Sequence, residues 1–479
     1  MLPVRCPARR GWQLVSRVRS VALLRVSTIM NSLAIAVMAI LASASAGRSD
    51  TVVLDVQRHP IFAGRYSVFA RFQDALQRTL TACNKSEPVI VPPGEVSRGK
   101  IGGETLRGIQ TALDCDALRD VPRQSAAKDG VLTPAVWRAV MGDERLPTPE
   151  DRAHALIMSF EATDFGEKPE WNFCQDNDQT KRGPLDPRAR GFLCYNATDP
   201  CSFLTWGPRG ATAGSGREIQ WILWLAWRHD PSLVERAFGR ELGNLQRLFR
   251  LKAPEGRTCS GDTPLEYFMC ALWIDPVRRQ IWDDALVELG HSSVVREVYA
   301  KVYALDEFDG AKLRAFFALW KELGLTPSEV DYAFFLDRAT HLGGPPADPV
   351  KIGGLRACAR EQTKALFANA AARRCLAKLQ PHDTQPEYRL GRDVAFYLDA
   401  YPQGALSEKE IAAWAGYVPL SAVHNFGLSE TNPVQIPSTA SLSSLGPDWP
   451  KPDSTRITQG ERHACPASVL APLRRRPAE

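Results

Sequence analysis

Tyr66, Phe69, Phe72, Leu76 and Leu80 recur at three- and four-residue intervals, the period of a helix with one apolar face. Helical patterning of this kind covers the chain from about Arg65 to Val140. A second region opens at Thr148-Pro149-Glu150-Asp151, a capping residue, a first-turn proline and two acids, which together predict a helix start. Ala153, Leu156, Ile157 and Phe160 then make one apolar face that delivers Glu161 at or near the helix C-terminus. From Gly166 to Gly216 the period disappears. Glycine, proline and asparagine dominate there, predicting loops and a small β-hairpin stapled by Cys174, Cys194 and Cys201.

Helical spacing returns at Glu218. It predicts helices over Ile219 to Trp227, Pro231 to Phe249, Pro264 to Leu289, Val294 to Leu305, Gly310 to Leu323, Pro327 to His341, Gly353 to Leu379, Gly391 to Tyr401, and Glu408 to Ala415. Thr326-Pro-Ser-Glu329 and Ser407-Glu-Lys-Glu410 have the form of capping boxes. The segment from Asn432 to Glu479, rich in Ser and Pro and closing on Arg474, Arg475 and Arg476, reads as extended or disordered. The fold class is mainly α, a helical body interrupted once by a small sheet beside the helix that carries Glu161.

The first 46 residues follow a different rule. Arg5, Arg9, Arg10, Arg17, Arg19 and Arg25 precede an apolar run from Leu33 to Leu41, which ends in small residues before Gly47. This is the pattern of a secretory signal cleaved after Ala46, with Met30 as a second plausible start, and the apolar run is short for a membrane span. Six arginines and no acid leave with it, so the formal charge falls from +5 to −1. That removes the case for a nucleic-acid partner and for stable membrane insertion, and implies a secreted or periplasmic protein.

Cys6 leaves too, and ten of the 11 cysteines remain, an even number that suits disulfides. The economical local pairs are Cys83 with Cys115, Cys259 with Cys270, and Cys358 with Cys375. No Cys-x-x-Cys or His-x-x-x-His spacing points to a metal, and no cofactor is expected. A hydrophobic content of 44% with 24% charged residues over 479 positions is enough for two or three globular domains. We read 1–46 as the signal, 47–145 as a small helical leading domain, 146–430 as the main domain and 431–479 as the tail.

The candidate chemistry lies between Glu161 and Gly210. Glu161 ends a helix; Asp199 stands six residues before Thr205, and Gly207 follows two residues later. A helix-end Glu followed by a hairpin with this Asp, Thr and Gly spacing resembles phage-type lysozymes, members of the lysozyme-like glycosidase superfamily that also holds chitosanases. The resemblance implies a glycoside hydrolase acting on an amino-sugar polymer, with peptidoglycan as the leading substrate and chitosan or chitin as the alternative. It implies Glu161 as general acid, Asp199 as the ionised partner and Thr205 as a residue positioning water. A general acid of this kind needs an apolar pocket to keep its proton near neutral pH, and Phe160, Phe165 and Trp206 are placed to supply one. A non-catalytic envelope glycan-binding protein on the same scaffold is the rival.

Asp164 and Glu218 compete for the second carboxylate's role, with Asp176 and Asp178 in the loop between them. Trp171 and Trp206 are candidate sugar-stacking groups, with Tyr195 beside them, and Arg209 and Arg217 candidate contacts for acidic or acetamido substituents. Trp221, Trp224 and Trp227 share one helix at three-residue spacing and read as core. Asp337 and His341 stand four apart on one helical face, a spacing that usually makes a structural pair. Gly102-Gly-Glu-Thr105 and Gly130-Val-Leu-Thr133, each leading into a helix, resemble the start of peptidoglycan-binding repeats. Asn84 and Asn196 match glycosylation acceptors.

Overall fold

The computed structural model describes residues 68–83, 100–115, 131–161, 164–171, 202–251, 263–381, 386–416, 423–445 and 456–465, short of a few single positions, together with 54–55, 61–62, 95 and 118. The expected signal over 1–46, Asp199, the loop cysteines Cys174, Cys194 and Cys201, and Cys259 lie outside the described residues. So do Asp176, Asp178, Tyr195 and the two glycosylation acceptors.

The elements run β1 (Leu54–Asp55), β2 (Ile61–Phe62), α1 (Val68–Cys83), β3 (Lys100–Ile101), α2 (Gly103–Asp114), β4 (Val131–Leu132), α3 (Pro134–Met141) and α4 (Pro149–Glu161). A three-stranded antiparallel sheet follows, formed by β5 (Glu170–Trp171), β6 (Ser202–Trp206) and β7 (Ala211–Gly214), with β6 in the middle. Helices then resume with α5 (Glu218–His229), α6 (Pro231–Phe238), α7 (Leu242–Arg250), α8 (Pro264–Ile274), α9 (Pro276–His291) and α10 (Ser293–Tyr303). After these come α11 (Gly310–Glu322), α12 (Glu329–His341), α13 (Pro349–Glu361), α14 (Ala368–Leu379), α15 (Pro386–Ala395) and α16 (Glu408–Gly416), and last the short α17 (Leu442–Leu445) and α18 (Gln459–Ala464). The fold is mainly helical with one small antiparallel sheet.

Local chemistry sets the helix starts. The Glu95 carboxylate accepts from the Gly102, Glu104 and Thr105 amides at 2.9–3.0 Å, satisfying the open N–H groups that begin α2. At α4, Asp151 Oδ2 accepts from the Thr148 amide at 2.8 Å while Thr148 Oγ1 accepts from the Asp151 amide at 3.1 Å, a reciprocal cap. Ser407 and Glu410 make the box read from their spacing. At α12 the box sits two residues later than the expected Thr326 one, between Ser328 and Asp331.

Several helices read as continuous are broken. Pro264 to Leu289 divides at Asp275, whose carboxylate accepts from the Val277 and Arg278 amides and starts α9 afresh. Pro231 to Phe249 divides at Gly239, which takes φ +49°. The Gly353 to Leu379 reading divides into α13 and α14.

Two large apolar clusters organise the described chain. The first joins Phe72 and Trp137 of the leading helices, stacked at 5.3 Å, to the α4 stripe, to Phe316, Trp320 and Phe335 of α11 and α12, and to Phe396. Phe160, on that stripe, meets Phe396 edge to face at 5.5 Å. The second cluster joins the sheet to α5 through α10. Trp221 and Trp224 lie in it as expected, edge to face at 5.6 Å, and Trp227 stacks on Phe249 at its margin.

Behind the first cluster, α12, α14 and α15 are joined by buried ion pairs. Arg373 meets Asp331 at 2.6 Å, Arg338 meets Asp393 at 2.8 Å, and Arg392 meets Asp337. The Asp337 carboxylate is thus committed to a structural pair with α15.

Residues 432–441 form no helix and pair as a strand only at the Ser328–Pro433 bridge, but they are hydrogen-bonded to the body, and the extended reading of the tail is corrected beyond them by α17 and α18. Asn432 and Ala440 carbonyls accept from the Glu329 and Asp306 amides at 3.1 and 2.8 Å, and the Val434 amide donates to Pro327 at 3.0 Å. Beyond them α18 packs on α8, Glu461 pairs with Arg247, and Cys465 bonds to Cys270. The expected local pairs Cys83–Cys115 and Cys358–Cys375 are present. The Cys259–Cys270 pairing is corrected: Cys270 takes a partner 195 residues away, which packing of α18 on α8 brings beside it.

Candidate active site

Helix α4 positions the site. Its apolar stripe, Ala153, Leu156, Ile157 and Phe160, is at most 1% exposed and packs toward α12. Glu161 is its last residue, as its spacing predicts. The opposite side of α4, marked by Asp151, His154 and Met158, lines a cleft of about 270 Å³. Asp164 and Phe165 just after α4, Pro208 and Arg209 of the β6–β7 turn, and the Arg296, Glu297, Tyr299 and Ala300 side of α10 complete most of the wall. Glu161 stands two helical turns beyond His154, about 10 Å along the axis.

The sheet fixes the turn at the cleft. Thr205 pairs with Glu170 on one side and Thr212 on the other, in the central strand. Trp206 is 1% exposed, its indole edge to face with Phe165 at 6.1 Å and with Tyr299 at 5.9 Å. It is a core side chain rather than the sugar-stacking platform expected from its loop-like surroundings. Trp171 is likewise 4% exposed, and its Nε1 donates to Asp283 Oδ1 at 2.8 Å. Strand pairing with Leu204 places it in the second cluster, away from an open stacking face.

Gly207 opens the turn at φ +78°, and a Cβ there would lie 2.8 Å from the Tyr299 ring. Tyr299 reads both sides of the turn: its hydroxyl accepts from the Arg209 amide at 3.0 Å and lies 3.4 Å from the Trp206 carbonyl, to which it donates. Burial pushes its phenol well above the ordinary range, so the donating proton stays.

The Arg209 guanidinium, expected at a substrate's acidic or acetamido group, is instead occupied. It pairs with Asp309, donates to Thr340 Oγ1 at 2.8 Å, and lies over the Tyr303 ring at 4.2 Å. A buried arginine with a buried carboxylate partner is the arrangement that avoids an uncompensated charge. Arg209 therefore pins the turn to the α10–α11 corner while its side chain walls the cleft.

Among the competing acids, Asp164 is 4% exposed and its Oδ1 accepts from the Phe165 amide at 2.7 Å. Glu218, in the first turn of α5, accepts from Thr212 Oγ1 at 2.7 Å and so ties that helix to β7. Arg217 takes the left-handed backbone conformation just before it, at φ 62°.

The sequence reading missed His154. It is half-buried at the cleft, and among the described residues it has no hydrogen-bond partner. Burial, and next the positive charge of Arg209, lower its pKa to about 4 against the opposing pull of Asp151 and Asp309, so it is neutral at pH 7. The available signal was periodicity: Asp151, His154 and Met158 alternate with the apolar stripe and so share the other face of the helix.

Among the described residues no group of three or more His, Cys, Asp and Glu side chains is gathered as a metal site would require. No described helix is long and apolar enough to cross a membrane. No protein-family model, curated protein or solved structure matches the chain.

Proposed function

We propose that the protein is an exported glycoside hydrolase of lysozyme-like type that cleaves β-1,4 links in an amino-sugar polymer, with peptidoglycan as the leading substrate. One observation carries the reading: the capped helix α4 ends at Glu161, and the side of that helix opposite its packed stripe lines a cleft bounded by the β-hairpin turn. A carboxyl at a helix end beside a hairpin is the arrangement from which a glycosidic oxygen is protonated. In this reading Glu161 is the acid, and Asp199, with Thr205 holding the water, stabilises the positive charge that develops on the sugar. The hydrogen bonds of Asp164 and Glu218 support structural roles for them. The leading helices, with Thr105 and Thr133 at their starts, supply the wall-binding segment.

The test is product analysis on peptidoglycan, chitin and chitosan. Wild-type protein releases sugar fragments from one of them, and Glu161→Gln lowers that release by at least about a hundredfold, the lower bound for losing a general acid, with its thermal midpoint unchanged. Release by Glu161→Gln at the wild-type rate would remove Glu161 from the chemistry. Binding of a polymer with no release by wild-type protein would leave the non-catalytic glycan-binding reading in its place.

A further inference from the structure

We infer that the His154 end of the cleft holds an uncharged, N-acetylated sugar unit, and that His154 is the specificity-determining residue that distinguishes this unit from a free amino sugar. The inference rests on the glycan reading above and goes beyond it to the substituent that the site selects.

The charged groups near this end of the cleft are already engaged. Arg209 is paired with Asp309, Arg71 with Glu144 at 2.6 Å, and Asp151 with Arg145 at 3.1 Å as well as with the start of its own helix. Arg296 donates to the Gly290 and His291 carbonyls. Glu297 is at the exposed rim, where water screens it. Asp164, buried in the same wall, already accepts from the Phe165 amide through Oδ1 at 2.7 Å, and a protonated amine entering here would lose its water and approach the Arg209 guanidinium.

An acetamido group meets the opposite situation. A neutral imidazole offers one N–H donor and one lone pair, which match a carbonyl oxygen and an amide N–H. His154 presents that pair at the cleft free of any described protein hydrogen bond, and the adjacent Arg209 opposes its becoming a cation. Met158, Phe165 and Pro208 provide apolar wall for the acetyl methyl. The volume of about 270 Å³ lies just below the roughly 300–1,000 Å³ of small-molecule pockets, room for a single ring-sized unit rather than a long segment. The two-turn separation from Glu161 makes that unit a neighbour of the bond being cut.

The test uses the full chain carrying Glu161→Gln, so that binding is read without turnover. Isothermal titration at pH 7 compares oligomers of N-acetylglucosamine with glucosamine oligomers of the same length. The acetylated series binds at least about tenfold tighter, the size of one well-made hydrogen bond and the avoided desolvation. Adding His154→Ala brings the two affinities to within about twofold, while adding His154→Asn, which retains a donor and an acceptor, keeps most of the preference. Circular dichroism and the thermal midpoint check that each variant is folded; if His154→Ala does not fold, the Asn variant is compared with His154→Leu.

Equal binding of the two series, failure of both to bind, or a preference unmoved by His154→Ala and His154→Leu overturns the inference. Wild-type protein that shows the preference and its loss in the His154 variants but cleaves no polymer overturns the hydrolase reading alone.

Discussion

The α12–α14–α15 interface and the α4–hairpin–α10 cleft both bring charged side chains into the protein, and they treat them differently. At the interface Asp331, Asp337, Arg338, Arg373, Arg392 and Asp393 are all buried, and each carboxylate faces a guanidinium from another helix. At the cleft Arg71, Arg209 and Asp151 are also paired and Arg296 donates to backbone carbonyls, but His154 lacks a described hydrogen-bond partner, and Glu161 ends the helix that lines the wall. An ionised carboxylate held by a buried arginine has no proton to give and no open volume to face, whereas a neutral imidazole beside a cleft has both a proton and a lone pair.

Unbalancing the buried charges of the interface has the largest expected effect. Arg373→Met strands Asp331 and Glu430 without their guanidinium, and the expected loss is about 3–5 kcal/mol in urea unfolding, with activity per folded molecule unchanged. A loss of activity without loss of stability would move functional chemistry to that interface.

A smaller effect is expected at the hairpin turn. Gly207→Ala forces a side chain into a left-handed backbone and against the Tyr299 ring, at a cost of about 1–3 kcal/mol. Because Tyr299 also holds Arg209 and lines the cleft, the proposed glycan function further predicts that this variant loses affinity for the oligomers, which interface variants do not.

The smallest effect is a pH slope. The folded-state pKa of His154, about 4, lies below its ordinary value of 6.5, so between these values the unfolded chain takes up a proton that the folded one refuses. Its contribution to stability is complete above pH 6.5 and is lost as pH falls toward 4. Between pH 7 and 6 the loss is about 1 kcal/mol or less, and His154→Asn removes it. An unchanged slope in that variant would show that His154 is not the group responsible.

What the sequence made legible was local. The cap at Thr148, the apolar stripe of α4, the box at Ser407 and the tryptophan spacing of α5 each depend on residues within a turn or two of one another. The rest depends on partners far along the chain. Asp331 draws the α12 cap forward because its carboxylate also meets Arg373, 42 residues away. Cys270 passes over nearby residues for Cys465, since α18 docks on α8. Trp171 and Trp206 sit in a stretch rich in turn formers, yet strand pairing turns them inward. Asp275 combines with Pro276 to divide a run whose apolar pattern continues across it. His154 carries no motif at all; its role follows from a cleft whose other walls come from the β6–β7 turn and α10.

Residues 423–445 and 456–465 are the last described parts of the chain to be made, and earlier elements depend on them. Synthesis runs from the N-terminus, so β1 and α4 emerge long before residues 423–426, which both of them contact, and α8 precedes its clasp α18 by almost 200 positions. The first half of the molecule must therefore wait, unfinished, for the last. A product that stops before about residue 423 lacks the pieces that close both cores, and one that stops between there and 465 still lacks the α18 clasp and the Cys465 partner of Cys270 in the second.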